Sequence, residues 1–70
     1  MTSSRAELLR LLAELGAAAP DLRLGQVLTN LATLARGAAI ESIWDCEDEE
    51  LAAACRRLLD HYRQRDSAVA

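Results

Sequence analysis

Apolar residues recur every three or four positions in three stretches of the chain, and this spacing predicts three amphipathic helices. The first covers about residues 4–15 and begins like a capping box, in which Ser4 and Glu7 satisfy backbone N–H groups. Gly16 is predicted to end this helix. The apolar face consists of Leu8, Leu11, Leu12 and Leu15, with Leu9 at its edge. The opposite face carries Glu7, Arg10 and Glu14 at spacings that allow ion pairs.

The second predicted helix covers about residues 22–36. It lies between Pro20 and Gly37, which are both residues that interrupt helices. Asp21 is its predicted N-cap. Its apolar stripe is formed by Leu24, Val27, Leu28, Leu31, Leu34 and Ala35.

The charge pattern of this second helix is unusual. No ionisable residue occurs from Leu24 to Ala35, which predicts that the helix lies at the centre of the domain and is sheltered from water on most sides. Its polar face is uncharged and consists of Gln26, Thr29, Asn30 and Thr33. Gly25 costs about 1 kcal/mol relative to alanine inside a helix. We therefore predict that another helix approaches closely at Gly25.

The third predicted helix covers about residues 46–65, with Asp45 as its cap and 66–70 as a frayed tail. Carboxylates fill its first turn, where they complement the helix dipole; they are Glu47, Asp48, Glu49 and Glu50. Its apolar stripe is formed by Leu51, Cys55, Leu58, Leu59 and Tyr62, flanked by Ala52 and Ala54.

The segment 38–45 before the third helix carries more apolar side chains than a solvated loop usually does. Ile40, Ile43 and Trp44 fall within five positions. We predict that this linker folds back over the core, with Trp44 as its anchor.

Composition supports an all-α fold. The chain has 70 residues, enough for one domain over 1–70, and its apolar fraction of 51% is too high for a disordered segment. Alanine and leucine dominate, phenylalanine is absent, and the strand-forming β-branched and aromatic residues are few. The predicted architecture is a compact three-helix arrangement with the apolar linker folded on its core.

The net charge and the cysteines indicate which classes of partner and which cellular compartment are expected. The net charge of −3 argues against specific nucleic-acid binding, although four arginines fall on the third helix. The sequence contains no apolar run long enough to span a membrane and no pattern of a signal peptide. Cys46 and Cys55 are nine residues apart on one predicted helix, too far for a disulfide, and free thiols suit a reducing cytoplasm.

No catalytic constellation is found in the sequence, so we predict a protein that is not an enzyme and has no cofactor or metal. The single histidine, His61, lies on the opposite side of the helix from Cys55, and no serine has a base at a motif spacing. The acidic residues lack the spacing of a calcium loop. Their two remaining interpretations are an ordinary acidic helix start and a docking patch for a basic partner.

Several motifs resemble a pattern found in small bacterial proteins with no known activity. Residues 20–26 read P-D-L-R-L-G-Q, 42–45 read S-I-W-D and 47–51 read E-D-E-E-L. The resemblance covers about residues 20–60 and implies one structural unit that includes Arg23 and Trp44. A fork between the guanidinium of Arg23 and the acidic segment would fix the register of the second and third helices. We therefore predict structural roles for Arg23, Gly25 and Trp44.

The sequence thus predicts a non-catalytic protein-interaction module or accessory subunit. It would bind a protein partner, or a second copy of itself, through the uncharged helix 22–36. The alternative is a small acidic regulator, of the antitoxin or immunity type, that neutralises a basic protein. Candidate partner-binding residues are Gln26, Thr29, Asn30, Thr33, Glu47, Asp48, Glu49 and Glu50.

Overall fold

The described residues form four helices that pack together, so the all-α prediction is confirmed. The computed structural model describes residues 3–39 and 41–69, with side chains as far as residue 65. The helices are α1 (Ser4–Ala18), α2 (Leu24–Arg36), α3 (Ser42–Asp45) and α4 (Asp48–Val69). The predicted burial of Ile40 falls on a residue outside the described part of the chain.

Helix α1 differs from its prediction at both ends. Ser3, and not Ser4, is the N-cap, and its hydroxyl accepts a hydrogen bond from the backbone N–H of Ala6 at 3.1 Å. The helix continues through Gly16 to Ala18. A glycine costs a helix only about 1 kcal/mol, and the alanines that follow favour helix, so Pro20 sets the end instead.

Helix α2 begins two residues later than predicted, at Leu24, with Arg23 as its N-cap in place of Asp21. The backbone N–H of Arg23 donates to Oε1 of Gln26 at 2.8 Å, so this N–H group at the helix start has a hydrogen-bond partner. The predicted C-terminal stop is confirmed. Gly37 adopts a φ of 95°, a conformation that favours glycine, and its N–H donates to the carbonyl of Thr33.

The third predicted helix corresponds to α4, which begins at Asp48 instead of residue 46. The single turn α3 lies in the predicted linker, and Asp45 is its last residue and not the cap of α4. At the start of α4, the carboxylate of Glu50 accepts a hydrogen bond from the backbone N–H of Glu47 at 3.3 Å. The helix continues to Val69, beyond the predicted end at residue 65. Fraying of residues 66–70 in solution stays a prediction.

Contacts between side chains show how the three long helices run. Glu7 pairs with Arg56 and Glu14 pairs with Arg63, so the contacts advance by seven residues along both helices and α1 is parallel to α4. Arg36, at the end of α2, pairs with Glu50, at the start of α4. Helix α2 therefore runs antiparallel to the other two, as expected for three helices joined by short connections.

The central helix is α4, so the prediction that the second helix is central is wrong. Helix α4 packs against both α1 and α2. Ala52 and Ala54 are both buried although they lie about 200° apart around the helix axis, as expected for a helix with neighbours on two sides. By contrast, α2 exposes its uncharged polar face. Absence of charge along α2 therefore does not reflect burial on most sides.

The core is built from leucines and small residues of all three long helices. Its buried members are Leu8, Leu11, Leu15, Val27, Leu31, Ala52, Ala54, Cys55 and Leu59. The largest side chains that are fully buried are Leu15, Leu31 and Cys55. Two members of the predicted α2 stripe, Leu24 and Leu34, are exposed. The described core holds no fully buried aromatic ring.

Candidate functional site

The most prominent surface feature is the exposed pair Ile43 and Trp44 on α3. Trp44 is 89% exposed and Ile43 is 44% exposed. The prediction that the linker 38–45 folds over the core with Trp44 as its anchor is therefore wrong for these two side chains. The largest apolar side chain of the described residues makes almost no contribution to the folding of this chain.

Local geometry explains why Trp44 faces outward. Helix α3 is a single turn, in which successive side chains point about 100° apart, so its residues cannot all face inward. The inward position is occupied by Ser42, which is buried and donates its hydroxyl to the carbonyl of Gly37 at 2.8 Å. This hydrogen bond closes the loop between α2 and α3.

An open groove of about 350 Å³ lies between α2 and α3 beside this pair. Its walls are built mainly from small and apolar side chains, and none of the residues that line it is ionisable. The lining residues besides Ser42 are Thr29, Ala32, Thr33, Ala38, Ala39 and Ile43. We call this groove, together with Ile43 and Trp44, the α2–α3 surface.

The four uncharged polar residues predicted to bind a partner are all exposed, but they do not all line the same site. Thr29 and Thr33 line the groove, whereas Gln26 and Asn30 lie outside it. The side chain of Gln26 also accepts the hydrogen bond that caps α2. The structure thus brings two of the four residues together with a surface that sequence reasoning did not predict.

Gly25 does not serve the predicted close approach. A Cβ added at this position would meet no atom within 4 Å. Since the residue is exposed and no neighbouring helix comes near it, nothing in the structure explains the glycine at this position.

The carboxylates at the start of α4 are largely engaged within the chain. Asp48 pairs with Arg5 at 2.8 Å, and Glu49 accepts a hydrogen bond from the hydroxyl of Ser4 at 3.3 Å. Glu50 accepts two hydrogen bonds of 2.7 Å from the guanidinium of Arg36. These contacts join the start of α4 to the start of α1 and to the end of α2. Of the four predicted residues, Glu47 is the one whose carboxylate has no such contact among the described residues.

The predicted ion pair between Arg23 and the acidic segment is not the one that forms. Arg36 instead donates two hydrogen bonds to the carboxylate of Glu50. Arg23 lies at the start of α2, and the 13 residues of this helix separate its two ends by about 20 Å. Because α2 and α4 are antiparallel, the end of α2 meets the acidic segment and its start does not. The prediction identified the correct type of contact and the wrong arginine.

The Arg36–Glu50 contact makes stability depend on pH. Hydrogen bonds from Arg36, and one from the backbone N–H of Glu47, lower the pKa of Glu50 from 4.5 to about 2. A depressed carboxyl pKa stabilises the fold fully above about pH 4.5, and this stabilisation is lost as the pH falls through about 2.

We expect Arg36→Gln to lower the melting temperature by a few degrees at neutral pH. The difference from the native chain should shrink below about pH 4.5 and vanish near pH 2. Melting curves followed by circular dichroism across this range provide the measurement. The matched control is Arg23→Gln on the same helix, which should show no such pH dependence. A constant difference for Arg36→Gln at all pH values would contradict the assignment.

The two cysteines differ in exposure, which predicts a large difference in reactivity. Both are free thiols, Cys46 half-buried and Cys55 fully buried. Burial, and to a smaller extent the carboxylate of Glu14, raise the pKa of Cys55. We expect iodoacetamide to modify Cys46 in the native protein and Cys55 only during opening of the core. Mass spectrometry of digested samples measures both rates, and equal rates would contradict the described burial.

Features of other classes of site are absent from the described residues. Among the side chains of residues 3–39 and 41–65, no group of three or more histidine, cysteine, aspartate or glutamate residues is arranged to hold a metal ion. Within residues 3–39 and 41–69, no helix combines the length and the apolar character needed to cross a membrane.

Comparison with known proteins found no matching family model, curated protein or solved structure. The resemblance to small bacterial proteins therefore stays a prediction.

Sequence reasoning missed the groove, although the sequence contains a signal for it. Gly37, Ala38 and Ala39 follow α2, and such small residues cannot fill the space between a helix and the turn packed beside it. A small serine at the inward position of that turn adds to the unfilled space. The exposure of Trp44 then follows from its position two residues after Ser42.

Proposed function

We propose that this protein is a non-catalytic protein-interaction module that binds its partner through the α2–α3 surface. The observation that carries the proposal is the 89% exposure of Trp44 beside an apolar, uncharged groove. Tryptophan is among the residues most enriched at the energetic centres of protein interfaces. Large contiguous apolar patches on the surface of soluble proteins mark interaction sites.

The chemistry of the surface defines the kind of partner it suits. The groove offers methyl groups and two threonine hydroxyls, and no formal charge, so a basic or acidic segment would gain little there. An apolar side chain that enters the groove would leave few polar atoms without hydrogen bonds. The partner's contact surface is therefore apolar and uncharged at its centre.

The alternative function, neutralisation of a basic protein by the acidic segment, has less support. Asp48 and Glu50 already pair with Arg5 and Arg36, and a basic partner would have to displace these contacts. Such a partner would gain only the difference between new and existing ion pairs. We therefore propose that the acidic segment has a structural role, in which it holds the start of α4 against α1 and α2.

We also propose a cytoplasmic location. Two free thiols, one of them fully buried, support it because a reducing compartment keeps thiols from forming disulfides.

The test is affinity capture of the tagged full-length chain from cells that produce it, after crosslinking and with identification of the bound proteins by mass spectrometry. The informative variant is Trp44→Ala, and the matched control is Leu9→Ala. Leu9 is also an exposed apolar residue, 58% exposed, but it lies on α1. We expect at least one bound protein, which includes a second copy of the chain, to be retained by the control and lost from Trp44→Ala. A set of bound proteins that is the same for both variants would overturn the proposal.

A further inference from the structure

We propose that the occupant of the groove is Trp44 of a second copy of this chain, so that two copies form a symmetric pair. This inference rests on the proposed function, since it uses the same surface and names its partner. In the pair, Trp44 of each protomer lies in the groove of the other.

The projecting residue and one wall of the groove belong to the same short stretch of chain. Ile43 lines the groove and the next residue, Trp44, projects into solvent. A two-fold symmetric interface requires each surface to complement itself, because residue i contacts residue j and j contacts i. A protrusion beside a recess meets that requirement, and neither of them has to be supplied by another protein.

The distribution of charge on the chain also favours contact through the groove. Each copy carries a net charge of −3, so two copies repel each other at most orientations. The groove and the whole stretch from Leu24 to Ala35 contain no ionisable residue. The lining of the groove adds no charge to such a contact, and the nearest carboxylates along the chain are Glu41 and Asp45 at the two ends of α3. Pairing through the groove also accounts for the absence of charge at Thr29 and Thr33, the exposed residues of α2 that line it.

The surface area that pairing would bury also favours a second copy as the partner. A standard interface buries about 800 Å² on each partner, roughly one-sixth of the 5065 Å² that one chain exposes. A buried tryptophan contributes about 150–250 Å² by itself. Burial of Trp44, together with Ile43 and the walls of the groove, therefore supplies a large part of what a stable pair needs.

A domain of this size also gains stability from association. Chains below about 80 residues rarely gain more than a few kcal/mol from their own core, and oligomerisation is one common supplement. Here the large side chains that are fully buried are two leucines and a cysteine, while the tryptophan stays outside. Pairing buries the largest apolar side chain of the described residues, and a second copy is always present where the first one is made.

The test is sedimentation equilibrium of the purified full-length chain, with mass measured over a wide range of concentrations. We expect the native chain to reach twice its monomer mass of 7.6 kDa. Trp44→Ala removes the inserted ring, and Thr33→Arg places a charge in the groove while leaving Trp44 in place. Each substitution should weaken association by about 30-fold or more, the loss typical of an interface hot spot.

Two controls on α1 match these changes. Leu9→Ala removes an exposed apolar side chain, and Ala13→Arg adds the same charge at an exposed position away from the groove. Both should associate like the native chain, and circular dichroism should show all four variants folded. A native chain that keeps its monomer mass at every concentration would overturn the proposal, as would pairing that survives both Trp44→Ala and Thr33→Arg.

The outcomes separate this inference from the proposed function. If the native chain stays monomeric and crosslinking captures a different protein in a Trp44-dependent manner, the surface binds another partner and self-association is wrong. If the native chain stays monomeric and no captured protein depends on Trp44, both proposals fail.

Discussion

Replacement of Leu31 by alanine is expected to leave most of the protein unfolded at room temperature. Leu31 is fully buried in the core, where α2 packs against α4. Truncation of a buried leucine costs about 2–5 kcal/mol, because transfer free energy is lost and a cavity remains. A domain of this length has a stability of only about 3–5 kcal/mol from its core. The substitution therefore removes most of the available free energy of unfolding.

Urea unfolding followed by far-ultraviolet circular dichroism measures this effect. The matched control is Leu9→Ala, the same substitution at a position that is 58% exposed. It should change the free energy of unfolding by less than about 0.5 kcal/mol. A Leu31→Ala protein as stable as the control would show that the described core is wrong at α2.

A charge at Ala54 is expected to be at least as damaging, because Ala54 is buried on α4, the central helix. An aspartate there would place a carboxylate in the core without a partner, at a cost of about 3–5 kcal/mol. We expect Ala54→Asp to abolish the cooperative unfolding transition at neutral pH. Partial recovery at acidic pH should follow, since protonation removes the buried charge.

The control for this prediction is the same substitution at the next residue. Ala53 is exposed, and an aspartate there lies one turn before Arg57, a spacing that favours an ion pair. Ala53→Asp should therefore unfold like the native chain. The melting temperatures of Ala54→Asp and Ala53→Asp, measured by thermal unfolding, compare a buried position of α4 with its exposed neighbour. Similar melting temperatures would contradict the burial of α4 on two sides.

Much of the fold could be predicted from the sequence because periodicity depends on each helix alone. The faces that carry Leu8, Leu11 and Leu15 on α1 and Cys55 and Leu59 on α4 are buried as predicted. Gly37 ends α2 because a positive φ is a local requirement that the residue type reveals. The i,i+4 pair of Arg10 and Glu14 forms at 3.0 Å for the same reason.

Relations between helices were harder to predict because they depend on topology. The lack of charge from Leu24 to Ala35 indicated a buried helix, but α4 is the one with neighbours on two sides. The sequence motifs predict that an arginine at the start of α2, Arg23, meets the acidic segment, whereas the antiparallel arrangement brings Arg36 at the end of α2 to it. No pattern within a single helix carries this information.

The candidate site was the least predictable part, because it depends on which of three adjacent residues faces inward. A turn that buries Ser42 exposes Ile43 and Trp44, whereas a register shifted by one or two residues would bury one of them. The hydrogen bond from Ser42 to the carbonyl of Gly37 decides between these arrangements. Such a bond follows from the closure of the loop and not from the apolar pattern of the linker.

The most direct test of the account is the accessibility of Trp44 in the folded monomer. The chain contains one tryptophan, so quenching of its fluorescence by iodide reports on this position alone. The measurement uses the Thr33→Arg variant in samples shown by sedimentation to have monomer mass. We predict quenching nearly as efficient as in the urea-unfolded chain. Strong protection of Trp44 in the folded monomer would show that the ring belongs to the core, and the proposed interaction surface would then have to be abandoned.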